Sequence, residues 1–211
     1  MNIVLKAVVV CGSKAVAASS AFPPFLSPVI LDRPGKFEAV DGAKFNSNPD
    51  YTTRLYLSDG GVYDNLGLET VWNRCETLLV SDAGAPFGMG SVETDWLKQT
   101  MRALDVATDQ ARALRKRALI DDFKRGVRSG TYWGIATEIK GYTEHLACDD
   151  AIVGPLADIR TRLNPFTDQE QEQLINWGYA LCDAGVRTYA PQIVATPTPP
   201  EWPCKGHPLG R

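Results

Sequence analysis

Residues 76–84, ETLLVSDAG, form a nearly continuous apolar run that ends on a carboxylate, with helical periodicity on either side. A run of strand length without polar alternation needs both of its faces covered, and helices before and after it in sequence are what cover such a strand. The chain is therefore expected to be α/β. Before the run, Leu68, Val71, Trp72 and Cys75 fall near helical spacing, with Asn65 placed to cap that helix. After it, Leu97, Met101, Leu104, Ala107, Ala111, Leu114 and Ala118 step by three and four through residues 92–124, which predicts a long helix with this stripe toward the core. TYWGIATEI at 131–139 reads as the next strand. Thr167 and Glu170 make a T-x-x-E capping box ahead of a helix carrying Leu174, Trp177 and Leu181, with Gly185 as its expected stop.

The ends of the chain are less regular. Residues 3–10 are rich in β-branched side chains and predict a buried strand; a secretory signal is the alternative, but Lys6 interrupts its apolar stretch. Ser13 is the expected N-cap of a short alanine-rich helix that Pro23 and Pro24 must end. Residues 32–54 are dense in turn formers and predict loop or a short hairpin. One domain over residues 1–190 is expected, followed by a proline-rich extended tail at 191–211.

Composition excludes several classes. The formal net charge of -3 argues against binding nucleic acid. The five cysteines are dispersed, and only two histidines are present, neither in a ligand frame, so neither a metal nor another cofactor is expected. No stretch approaches the ~20 apolar residues of a membrane span.

A second strand also ends on a carboxylate. In YLSDGGVYDNLGLE, residues 56–69, Asp59 follows a short apolar strand and precedes Gly60 and Gly61, and a helix follows at once. Two glycines allow a sharp turn that leaves the carboxylate at the strand's C-terminal end, where ligands collect in open α/β sheets. Asp41, in VDGAKF, has the same dipeptide but lies in a loop with no strand before it. Asp82 ends a strand but lacks the second adjacent glycine.

Three segments, AVAASSAFPPFLSP, YLSDGGVYDNLGLE and RTRLNPFTDQEQEQLINWGYAL, together resemble the C-terminal half of bacterial patatin-like phospholipases. The resemblance spans roughly residues 13–189, and the D-G-G element is its most diagnostic part. It implies a partial patatin-like α/β/α sandwich and a lipid acyl hydrolase that cleaves carboxylic esters with a Ser-Asp dyad. Phospholipid or another acyl lipid would be the substrate, at a cytoplasmic or peripheral-membrane location; secretion is the alternative. It further implies that Asp59 is the dyad's proton acceptor, that Gly60 and Gly61 complete the motif, and that Asn65 is the asparagine of an extended D-G-G/A-x-x-x-N pattern.

A dyad suits a chain poor in histidine, because the aspartate takes the serine proton directly. The chain departs from the family at the nucleophile, since neither a G-x-S-x-G elbow nor a glycine-rich oxyanion loop occurs in these residues. Ser13 lacks the flanking pattern, and Ser19 and Ser20 align with a family helix, where close packing is their expected role. Serine, base and oxyanion hole act as a unit. Little activity is therefore expected from these residues alone, and a complementing N-terminal chain is an expected partner. The other reading is a non-catalytic remnant of the fold that binds lipid or a protein. Residues 112–128, RALRKRALIDDFKRGVR, are expected to be a solvated helix face, and Trp133 and Trp177 core or interface residues.

Overall fold

The computed structural model describes residues 4–5, 11–32, 37–38, 48–84, 94–160, 164–196 and 198–210. Mixed helices and small sheets divide between two compact units, residues 1–65 and 66–211.

In the first unit, β1 (Val4–Leu5) is followed by α1 (Gly12–Ser19), β2 (Val29–Asp32), β3 (Phe37–Glu38), α2 (Pro49–Thr52), β4 (Arg54–Leu57) and α3 (Gly61–Asp64). β1 pairs with β3 and β2 with β4, both antiparallel. Of the expected strand at 3–10, only β1 lies among the described residues, and Asp41 lies outside them. Cys11, not Ser13, occupies the N-cap of α1, and Ser13 instead hydrogen-bonds the Cys11 thiol at 3.2 Å. α1 has no buried residue, and Ser19 is exposed rather than close-packed. Within the expected loop, Asn48 caps α2 through the Asp50 N–H with Pro49 in its first turn, where a missing amide hydrogen costs nothing.

Asn65 does not start a helix as expected. It closes α3, because the chain turns helical directly at Gly61. The next helix starts behind Gly67, whose φ of 63° lies in the left-handed region that favours glycine.

The second unit runs α4 (Leu68–Trp72), β5 (Thr77–Asp82), α5 (Trp96–Lys124), β6 (Ser129–Gly134), α6 (Asp150–Leu156) and α7 (Asp168–Tyr189). β5 and β6 pair in parallel, from Thr77 opposite Ser129 to Asp82 opposite Gly134. Alternation along the strands separates two faces. Leu78, Val80 and Tyr132 face α4 and α5, packing with Leu68, Leu119 and Phe123. Trp133 faces α7, in a cluster with Trp177, Leu181 and Leu156. Helix, sheet and helix thus form three layers, and both tryptophans are core residues as expected. Trp177 also donates its indole N–H to the Ile135 carbonyl at 2.8 Å.

Two helix expectations are corrected. α5 presents Arg112, Arg115, Leu119 and Phe123 inward, with Leu119 wholly buried, while Leu97 and Leu114 of the expected stripe are exposed. The arginines point in because each has a carboxylate to reach, Asp82 and Glu69 respectively. α7 passes straight through Gly185. A Cβ there would stand 2.9 Å from Thr131 Oγ1, so this glycine brings helix and strand together instead of ending the helix. The capping box forms as expected, with Thr167 accepting from the Glu170 N–H and Glu170 accepting from the Thr167 N–H.

The described residues among 191–210 carry no element beyond a 3-10 turn at Pro191–Ile193, yet they do not hang free of the fold. Leu209 is wholly buried, and Asn176, equally buried on α7, donates to the Cys204 and His207 carbonyls and accepts the Cys204 N–H.

Candidate functional site

Two strands end in the same local geometry. Asp59, two residues past β4, accepts the Gly61 N–H on Oδ1 at 2.7 Å; Asp82, the last residue of β5, accepts the Gly84 N–H on Oδ1 at 2.9 Å. In each, an aspartate side chain caps the backbone two residues on, an Asx turn that fixes the carboxylate as the strand exits. Their surroundings differ.

Asp59 is held from behind. Its own N–H and the Ser58 hydroxyl both donate to the carbonyl of Ala21, at 2.9 and 3.2 Å, and Ala21 is buried. The segment after α1 thereby anchors the turn, which brings AASSAF and S-D-G-G together from opposite ends of the first unit. Ahead of the carboxylate, α3 leads to Asn65. A Cβ at position 61 would stand 2.8 Å from Asn65 Oδ1 and 3.0 Å from Asp59 Oδ1. The two side chains therefore converge over the bare α-carbon of Gly61. Neither motif glycine has the unusual dihedrals expected of it: Gly60 has φ -62° and ψ -23°, and Gly61 lies within α3 at negative φ. Gly61 is needed for space and Gly60 for neither reason, since a Cβ on it would meet nothing within 4 Å. Asp59 is half-buried and makes no ion pair among the described residues.

Asp82 is engaged on every side. Its Oδ1 also receives Arg112 Nη1 at 3.5 Å, and its Oδ2 accepts the Tyr132 hydroxyl at 2.7 Å, with the residue 7% exposed. Arg112 is itself held by Asp109 at 2.7 Å. Burial, and then the hydrogen bond to Asp82, push the Tyr132 hydroxyl well above the ordinary phenol range. Accepting a proton from a substrate would require Asp82 to break contacts that tie β5, β6 and α5 together. It is a structural clamp, whereas Asp59 uses only Oδ1 in the hydrogen bonds of the described residues.

No described serine stands near Asp59 in a nucleophile elbow. Ser13 lies in the first turn of α1, and Ser58 spends its hydroxyl on Ala21. Among the described residues no group of three or more histidine, cysteine or carboxylate side chains could hold a metal ion, and no helix is long and apolar enough to cross a membrane. All five cysteines are free. Sequence reasoning missed the Asp82 clamp because its partners lie 30 and 50 residues away and no local pattern announces them. Comparison of the chain with protein-family models, curated proteins and solved structures returned no match.

Proposed function

We propose that these residues are the C-terminal portion of a patatin-like lipid acyl hydrolase, with Asp59 as the proton acceptor of a Ser-Asp dyad whose serine is carried outside them. The observation that carries this reading is the Asp59 turn: a carboxylate at a strand exit, fixed by the Gly61 N–H and sharing with Asn65 the space over the bare Gly61 α-carbon, with one oxygen uncommitted and no cation paired with it among the described residues. A general base must be positioned before it can be tuned, and this one is positioned. The serine hydroxyl would give its proton to the free oxygen as it attacks the ester carbonyl, and the carboxyl would return that proton to the leaving alcohol.

Incomplete packing supports a missing portion. Of the described hydrophobic residues that are buried, only Ala21 lies before residue 66. Ile30 and Tyr56, opposite one another across β2 and β4, are 48% and 61% exposed. In the second unit Leu79 of β5 is 47% exposed, although a parallel strand is ordinarily covered on both faces. Sheets cut through the middle expose such surface.

The test joins the chain to the polypeptide encoded immediately upstream in its gene and measures hydrolysis of p-nitrophenyl butyrate. Hydrolysis by the joined chain, falling about 10³-fold or more in Asp59→Asn, is the expected result for a residue that acts with its nucleophile as a unit. Equal rates in the two would reject the dyad. No hydrolysis by the joined chain would move the reading to a non-catalytic remnant that binds lipid or protein.

A further inference from the structure

Among the described residues β5 and β6 form a two-stranded sheet, so β6 is an edge strand, and it lines a cavity of about 540 Å³. Residues 128–132 line it, together with Lys116, Ile120 and Lys124 of α5 and with Tyr142 and Tyr189. The ladder to β5 uses the N–H groups of Ser129 and of Ile135 just past the strand, which donate to Glu76 and Asp82 carbonyls. Strand alternation then turns the intervening groups, those of Gly130, Tyr132 and Gly134, toward the open side. Gly134 N–H is taken there by Thr137 Oγ1 at 2.8 Å, which caps one end of the edge and leaves the Tyr132 stretch for a partner.

The charges around this groove are unequal. Arg128 is already committed to Asp122 at 3.2 Å and to the Cys75 carbonyl at 2.7 Å. Lys116 lies over the Tyr132 ring at 4.4 Å, and Lys124 stands exposed in the last turn of α5; Glu138 is the one carboxylate in the lining. Two ammonium groups therefore flank an open strand edge on its α5 side. A second copy paired edge to edge would set these lysines against their own images, which disfavours a homodimer here.

We propose that the open edge of β6 is a docking groove for an extended, carboxylate-bearing segment of a partner protein, which adds a third strand to the sheet. Main-chain hydrogen bonds at Tyr132 hold the segment, Lys116 and Lys124 select acidic side chains on its α5 side, and Tyr142 and Tyr189 pack against the other. This surface does not include Asp59, and docking there requires that the portion proposed to lie outside these residues leave the β6 edge open.

The probe is a fluorescein-labelled decapeptide of alternating glutamate and valine, titrated into the full chain and followed by anisotropy and by amide exchange. Saturable binding with slowed exchange at the Tyr132 amide is expected, about fivefold weaker in Lys116→Gln/Lys124→Gln. N-methylation of the peptide at alternate nitrogens should abolish binding for one parity and spare it for the other, a control that needs no protein variant. Absence of saturable binding would overturn the proposal, as would equal binding of a decapeptide of alternating lysine and valine or no change at Tyr132. Tyr132 protection that rises with protein concentration without peptide would assign the edge to a second copy, and would overturn it too.

Discussion

A Cβ at position 61 would stand 2.8 Å from Asn65 Oδ1 and 3.0 Å from Asp59 Oδ1, whereas one at position 60 would meet nothing within 4 Å, so two adjacent glycines answer to different demands. Gly60→Ala should be tolerated, and it should gain up to ~1 kcal/mol because the native dihedrals suit any residue and the unfolded chain loses freedom. Gly61→Ala should push Asp59 and Asn65 apart and break the 2.7 Å bond from the residue-61 N–H. Amide exchange at position 61 checks this, with faster exchange in Gly61→Ala and none in Gly60→Ala. At the other strand end, Tyr132→Phe removes the donor to Asp82 Oδ2 and leaves a buried carboxylate oxygen unpaired, at a cost of about 1–3 kcal/mol in urea denaturation. The turn at Asp59 was legible in the sequence, because strand and turn chemistry are local, while at Asp82 only the strand end was. Which aspartate stays open was not, since Arg112 and Tyr132 reach Asp82 through the fold.

Among the elements, α7 has the most local sequence support and the most non-local consequence. Its capping box was legible residue by residue. Glu170 takes Arg160 on both oxygens, the Nη2 contact at 3.1 Å, and also the Thr167 N–H; the Arg160 hydrogen bond is the larger influence, and together they hold its carboxyl down to about 2 from an ordinary 4.5. A folded-state value below the unfolded one means that the unfolded chain binds this proton first as pH falls. The contribution is therefore complete above about 4.5 and lost as pH drops toward about 2. Acid titration of helicity should show a smaller loss across that window in Glu170→Gln than in the parent chain. The other end of the same helix could not be read from sequence. Gly185 has the signature of a stop, but its missing side chain makes room for Thr131. Asn176 looks like a polar interruption, yet it satisfies three backbone groups of residues 204–207. Asn176→Ala would leave those groups unpaired and should cost roughly 3 kcal/mol, with release of the segment seen as a change in Trp202 emission.

At the scale of the molecule, the α/β character was visible in the apolar run at 76–84 and in its helical neighbours, because periodicity reports which faces want cover. What covers them was not visible. Among the described residues, the second unit holds every buried hydrophobic except Ala21, and the first leaves Val16, Phe25, Ile30, Tyr56 and Tyr63 largely exposed. Amide exchange of the full chain should accordingly separate Leu78, Val80 and the middle of α7, slow to exchange, from α1, β2 and β4, with little protection. The dyad reading turns that asymmetry into a chemical expectation: the base is present and positioned, and its nucleophile comes with the missing cover. Fluorophosphonate labelling followed by mass spectrometry tests this most directly. The 211-residue chain alone should take up no label, and the chain extended by its upstream-encoded residues should be labelled on one serine within the extension. Label on any serine of the 211 residues would contradict the account.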